Sequence, residues 1–464
     1  MASTAWTSSA GLPRTAPPRR GTGGLVFALC LLGVGASLIA RMFQMGEETF
    51  NVWGGALIGP MLFAISLPIL AREARKFGDR KLMKLFVLGL VLMFAGALVR
   101  YYITYVVYDG KADATGYHGN GVQVLEEITS GNWGANLESY SRTDFIRYFT
   151  GLVYLVIGPS RLGGFLFYAW LTYWGLFFFF KAFVKAVPLG RKESYGRFIF
   201  LYPSLLYWPA TIGKDAWMLL WLGIASYGVA LALKGKAVRG SPLVALGMGM
   251  AGIVRVPVAA MVGLGLAAAF IVLRPSKKLG PIGPLVKIAT VALMVPLVMF
   301  TVGWAGDFLN ADLTSSEGVT TALKDTAGRT EDHGGSAYES VVVSSPVDIP
   351  LAAVTVLFRP FIFEAHNLQA VIAAVEGMIL LGLTIARWKW LVAALKNLRS
   401  TPYVVYAAVF VLGFMVAFSS FPNFGLLARQ RVQLFPFYFV LFCIPPAVKA
   451  VRGSRTEAVT EGRS

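Results

Sequence analysis

The sequence predicts an all-α, polytopic membrane protein, from its composition, the recurrence of long apolar runs and the sidedness of its positive charge. Of 464 residues, 56% are hydrophobic and only 14% charged, and the mean hydropathy is +0.63. A soluble fold of this length carries roughly a quarter of its residues charged. A helix needs about 20 apolar residues to cross the hydrocarbon layer, so the chain has room for about ten to thirteen crossings and no separate soluble domain.

Apolar runs predict about twelve helices, near 24–41, 53–71, 85–107, 162–184, 197–212, 215–234, 242–254, 257–273, 285–304, 369–386, 403–421 and 433–449. The formal charge of +18 is unevenly spread. With the N-terminus inside and every helix crossing once, most Lys and Arg fall in the inner segments, such as Arg72 to Lys84, Lys181 to Arg197 and Arg387 to Arg399. The acids on that side are Glu73, Asp79, Glu193, Glu457 and Glu461; the others lie outside or in the outer half. This is the positive-inside pattern, with both termini cytoplasmic, and it argues against a nucleic-acid-binding patch. The division is a cytoplasmic basic tail over 1–23, a single transmembrane domain over 24–449 and a cytoplasmic tail over 450–464. No small-residue cleavage site follows the first apolar run, which reads as a retained helix. Cys30 and Cys443 lie in apolar runs and offer neither a disulfide framework nor a metal spacing.

Two expected crossings, 197–212 and 242–254, are short. Each leads into a charged outer turn: Gly213-Lys214-Asp215 and Arg255-Val256-Pro257. Interrupted spans in a bilayer often line a cavity. Two outer loops are long, 108–161 and 305–350. The first is rich in Asp, Glu, Tyr and Gly, and its Thr143–Ile157 stretch predicts a surface helix. The second is rich in Gly, Ser, Thr and acids and reads as mobile.

The ionisable residues near apolar runs collect on the outer side. Asp109 and Asp113 directly follow the third helix, with Tyr117 and His118 just beyond. A carboxylate there serves either as a general base toward a hydroxyl or as a cap for the next helix. Lys214, Arg255, Arg359, Arg429 and Arg431 sit at outer helix ends or turns and suit a phosphate or diphosphate. Lys214 has the alternative of pairing with Asp215, and Arg429 and Arg431 that of anchoring a loop to headgroups. Glu364, His366 and Asn367 form a third group, with Glu376 deeper in the tenth helix. His366 reads better as a hydrogen-bonded structural residue than as a metal ligand, and Glu331-Asp332-His333 as a solvated run. The sequence carries no nucleotide-binding loop, no Ser/His/Asp order and no zinc spacing, so the energy for any reaction has to come from an activated substrate.

This layout resembles the GT-C fold of integral membrane glycosyltransferases. Asp113-Ala-Thr-Gly-Tyr117-His118 looks like their acidic first-loop motif. The segments Tyr202 to Asp215, Phe358 to Asn367, and Ala428-Arg429-Gln430-Arg431 are similar to parts of bacterial polysaccharide-assembly membrane proteins. The resemblance covers roughly residues 85–440. It implies a bacterial plasma-membrane enzyme with an extracytoplasmic site and a sugar donor carried on a polyprenyl phosphate or diphosphate. The acceptor would be a glycan or lipid of the cell envelope. Asp113 would be the catalytic base, with Asp109 the second candidate. The five cations would hold the donor phosphate, and Tyr117, His118, Asp215, Glu364, His366 and Asn367 would lie around the substrate. The resemblance fixes no cofactor; a divalent metal stays open, but the residues do not indicate one. The competing readings are a flippase or transporter of a lipid-linked glycan, and a polymerase or ligase using the same donor class.

Overall fold

The computed structural model describes residues 47–134, 142–274, 282–331, 338–365 and 368–446. The expected first helix at 24–41, both tails, Asp332, His333, His366 and Asn367 lie outside the described residues. Among the described residues all regular structure is helical. In chain order the helices are α1 (Glu47–Phe77), α2 (Arg80–Tyr102), α3 (Asp113–Thr129), α4 (Arg142–Ile157), α5 (Arg161–Ala186), α6 (Lys192–Leu201), α7 (Pro203–Tyr207), α8 (Lys214–Leu233) and α9 (Ala237–Val254). They continue with α10 (Val256–Val272), α11 (Gly283–Leu309), α12 (Ser316–Glu331), α13 (Ile349–Phe358), α14 (Leu368–Ala386), α15 (Trp388–Lys396), α16 (Pro402–Phe418), α17 (Phe424–Gln430) and α18 (Phe435–Leu441). A π-helical turn, Ile103–Val107, prolongs α2.

Among the described residues, six helices are long and apolar enough to cross a membrane: α1, α2 with its π turn, α5, α8, α9 and α11. A seventh crossing arises if α14 and α15, bent by 62° at their junction, are taken as one span. Helices α10 and α16 are apolar but shorter. Helix α11 turns Leu285, Ile288, Leu293 and Phe300 outward, an apolar face suited to lipid.

The interior is built on backbone contact. Helix α8 packs between α5 and α9, and α10 lies against α9, α11 and α16. A Cβ placed on Gly223 of α8 would stand 2.2 Å from the carbonyl oxygen of Gly175 in α5, and one on Gly240 of α9 would stand 2.5 Å from that of Gly228 in α8. Small residues let helices approach this closely where lipid leaves no hydrophobic drive to bring them together.

The short crossings resolve differently. The expected 242–254 helix starts earlier and runs unbroken over α9. The expected 197–212 helix does not form as one piece: it breaks into α6 and α7 at Tyr202, whose backbone is extended. Pro203 explains the break, because its ring disfavours the helical region for the residue before it and it has no N–H to donate. Side chains then satisfy the freed backbone. Ser204 donates its N–H to Glu376 Oε1 at 2.9 Å and its hydroxyl to Glu376 Oε2, while Thr172 donates to the Pro209 carbonyl at 3.1 Å. Glu376 is buried, and this cap explains its place in an apolar helix.

Two further elements depart from expectation. The second long loop carries a helix, α12, because Val319, Ala322, Leu323 and Thr326 form one face that packs inward. The expected helix at 433–449 is reduced to α18, which ends at Leu441 ahead of Pro445 and Pro446.

Replacing Glu376 by Leu strips the acceptors from the helix break and is expected to lower stability by about 1–3 kcal/mol, the cost of a buried unpaired donor. Glu376→Gln keeps one acceptor and is expected to lose less than half as much. Thermal unfolding of the detergent-solubilised protein reads this; a Leu variant as stable as the original would contradict the capping role.

Candidate functional site

Three helices begin at one place. Helix α3 opens with Asp113 after the tight turn at Asp109 and Gly110, both at positive φ. Helix α8 opens with Lys214 and Asp215 after the irregular segment 208–213, and α10 starts from Arg255. The acids thus lie in the first turns of α3 and α8, where the partial positive charge of the helix end favours them. Arg429, near the end of α17, joins the three.

Asp215 is the hub, with a side chain only 1% exposed. Its Oδ1 accepts from Arg255 Nη1 at 3.0 Å, and its Oδ2 accepts from Arg429 Nε. Arg429 reaches on with Nη1 to Asp113 Oδ2 at 2.5 Å. The result is a continuous chain, Asp113–Arg429–Asp215–Arg255. Its members differ in access. Asp113 has a side chain 67% exposed and uses one oxygen, whereas both oxygens of Asp215 are engaged. Burial works against the Arg429 charge, but Asp215 and Asp113 outweigh it and hold its pKa above the ordinary guanidinium value.

Lys214 does not pair with Asp215. It donates instead to Thr143 Oγ1 of α4 at 2.7 Å, which leaves Asp215 to the two arginines. Tyr117 is buried beside this cluster: a Cβ on Gly213 would lie 3.5 Å from its ring and 3.6 Å from Arg429 Nη2. Burial pushes the Tyr117 hydroxyl up to about 12, so it stays protonated. His118 is held elsewhere, sharing a 2.7 Å hydrogen bond with Tyr154 of α4. Burial, helped by the charge of Arg161, pulls its pKa down to about 4. It is a neutral residue that fastens α3 to α4.

The remaining candidates are not part of this chain. Asp109 is exposed in its turn. Arg359 closes on Glu364, with Nε to Oε1 at 2.9 Å, and its guanidinium lies 4.5 Å from the ring centre of Tyr338. Tyr338 in turn stacks on Phe424 at 3.9 Å. Arg431 is wholly buried and donates to the Leu357 and Arg359 carbonyls, each at 3.0 Å. It anchors the bend after α13 and faces no headgroup. Among the described residues, no group of three His, Cys, Asp or Glu is placed to hold a metal ion.

A cavity of about 600 Å³ adjoins the chain at Arg255. Its walls are apolar side chains of α10, α11, α12 and α16, among them Val258, Met261, Leu323 and Val416. Arg255 is the charged residue of the lining. Sequence reading misses this cavity and the hub role of Asp215. A weak signal exists for the latter, since Asp215 directly follows the interrupted span.

The arrangement sets an accessible carboxylate, Asp113, and the cations Arg255 and Lys214 close to a cavity with room for an apolar chain. Compared with protein-family models, curated protein sequences and solved structures, the chain shows no significant match.

Arg429→Met leaves Asp215 buried with one partner and is expected to destabilise the protein by roughly 3 kcal/mol, as for a broken buried ion pair. Asp113→Asn, at the exposed end, is expected to cost under about 1 kcal/mol. Chemical or thermal unfolding of both variants checks the order, and equal losses would contradict it.

His118 gives a pH signature. Its folded pKa lies below the unfolded value of about 6.5, so the unfolded state binds the extra proton first. Stability should be full above pH ~6.5 and fall by up to about 3 kcal/mol as pH drops toward 4. Unfolding temperatures measured from about pH 7.5 down to about 4.5 should show this fall in the original protein and a shallower one in His118→Gln. Parallel curves would contradict the assignment.

Proposed function

We propose that the chain is an integral membrane glycosyltransferase of the GT-C kind, acting at the extracytoplasmic face on a sugar donor linked to a polyprenyl phosphate or diphosphate. The observation that carries this reading is the meeting, at Arg255, of an ion chain ending in an accessible carboxylate and an apolar cavity large enough for part of a lipid chain. Arg255 belongs to both. In this proposal the chain makes about twelve crossings in a bacterial plasma membrane with both termini cytoplasmic, and its product is a cell-envelope glycan.

The mechanism follows from that arrangement. The polyprenyl chain enters the cavity, and its phosphate meets Arg255 and Lys214. Asp113, bordered by Arg429, takes the proton of an acceptor hydroxyl. The hydroxyl oxygen attacks the anomeric carbon, the bond from that carbon to the phosphate oxygen breaks, and the electron pair leaves with the lipid phosphate. The cations stabilise the negative charge as it develops. A single in-line displacement inverts the anomeric centre. Asp215 does not touch substrate here; it positions both arginines. Arg359, Glu364 and Arg431 serve the architecture around α17, which carries Arg429.

The interrupted span at Tyr202–Pro203 favours the second reading, a flippase for a lipid-linked glycan, because transporters use broken helices at mid-membrane. Against it, the acidic group at that break, Glu376, is occupied by the break itself.

Mass spectrometry of polyprenyl-linked sugars in a deletion strain, rescued with the original protein or with Asp113→Asn, separates these readings. The transferase reading expects turnover reduced about 100-fold or more and a lipid-linked sugar retained on the outer leaflet. Retention confined to the inner leaflet would replace it with the flippase, and an unchanged profile would refute the role of Asp113.

A further inference from the structure

A second groove lies away from the ion chain, between α6–α7 and α14. It encloses about 390 Å³ and is walled by Leu201, Ile372, Val375 and Ile379. At one end stand Arg197 and Phe198 of α6 and Leu383 of α14. One turn beyond Leu383 is Arg387, whose guanidinium lies 5.8 Å from the centre of the Phe198 ring and 4.6 Å from that of Trp390. Arg191 covers the same indole at 4.9 Å.

This end is strongly positive and largely uncompensated. Arg387 Nη1 is buried without a partner, and Arg197 makes no ion pair among the described residues. The nearest acid in sequence, Glu193, is the partner of Lys192 at 4.0 Å. Helix α15 follows at once, bent by 62° away from α14 and carrying Trp388, Lys389 and Lys396. A short helix with Trp and Lys at the foot of a span is the form that lies in a headgroup layer. The positive-inside pattern puts this end on the cytoplasmic side.

We propose that the groove is a binding site for an anionic phospholipid of the cytoplasmic leaflet. The phosphate sits between Arg197 and Arg387, with Trp390 beside it, and an acyl chain fills the groove toward Trp208. Charge complementarity selects the occupant: an apolar groove alone accepts any chain, but two guanidinium groups without acidic partners at its end favour a headgroup with net negative charge. The bound lipid seals the flank of the broken helix, where α7 and Glu376 border the groove. The groove uses none of the residues of the ion chain, so lipid binding here and sugar transfer there fail independently.

Native mass spectrometry of the delipidated, full-length protein tests the site, with 1-palmitoyl-2-oleoyl phosphatidylglycerol and the phosphatidylcholine of the same chains as probes. Phosphatidylglycerol is expected to bind about tenfold or more tightly, and the double variant Arg197→Ala/Arg387→Ala to lose that preference. Ile379→Trp, which fills the groove and leaves the arginines in place, is expected to weaken binding as well and covers the case in which the double variant does not fold. Equal binding of the two lipids, or an unchanged preference in both variants, would overturn the proposal. So would displacement by inorganic phosphate at equal concentration, since the groove would then contribute nothing.

Discussion

A carboxylate that is almost entirely shielded from water is costly unless its charge is met on every side. Asp215 is met by Arg255 on one oxygen and Arg429 on the other, and those two contacts hold three separate chain segments together. Helix α8 brings the acid, the α9–α10 junction brings Arg255, and α17 brings Arg429. Arg429 then has one arm left, which reaches Asp113 on α3. The exposed end of the chain is therefore placed by its buried end. Arg255, fixed the same way, becomes the charged side chain at the edge of an otherwise largely apolar cavity.

Several buried polar groups elsewhere in the bundle are met in the same way. The break at Pro203 frees the Ser204 N–H, which Glu376 takes up, and beyond the end of α7 Thr172 takes up the Pro209 carbonyl. Arg431 meets carbonyls at the bend after α13. Close glycine contacts between α5, α8 and α9 bring backbones together where larger residues would hold them apart. Glu376 and Arg431 thus repair the backbone, whereas Asp215, Arg255 and Arg429 belong to the ion chain.

The helical class and several helix positions are legible in the sequence because length and hydropathy report directly on burial in a bilayer. The Thr143–Ile157 helix is legible from its apolar spacing, and α4 spans Arg142–Ile157. The break between α6 and α7 is harder to read, since one proline in an apolar run either kinks a helix or ends it. Helix α12 is hidden by its composition: rich in Thr, Gly and charge, it is a helix whose few apolar residues share one face. Asp113, Lys214, Arg255 and Arg429 stand out in the sequence as candidates because the charge pattern assigns them all to one expected side. Which of them pair is not legible, because Asp113 and Arg429 are 316 residues apart and meet only through tertiary packing. Lys214 shows the limit clearly. Its neighbour in sequence offers a carboxylate, yet the helix start turns the two side chains apart, toward Thr143 and toward the arginines.

In the proposed mechanism the ion chain stands at the mouth of a cavity that accepts a polyprenyl phosphate. Photo-crosslinking with a polyprenyl phosphate bearing a benzophenone on its lipid chain, followed by peptide mapping, tests that most directly. Adducts are expected on α10 and α16, around Met261 and Val416, reduced several-fold in Arg255→Ala. Adducts elsewhere that are indifferent to Arg255 would contradict the proposed mechanism.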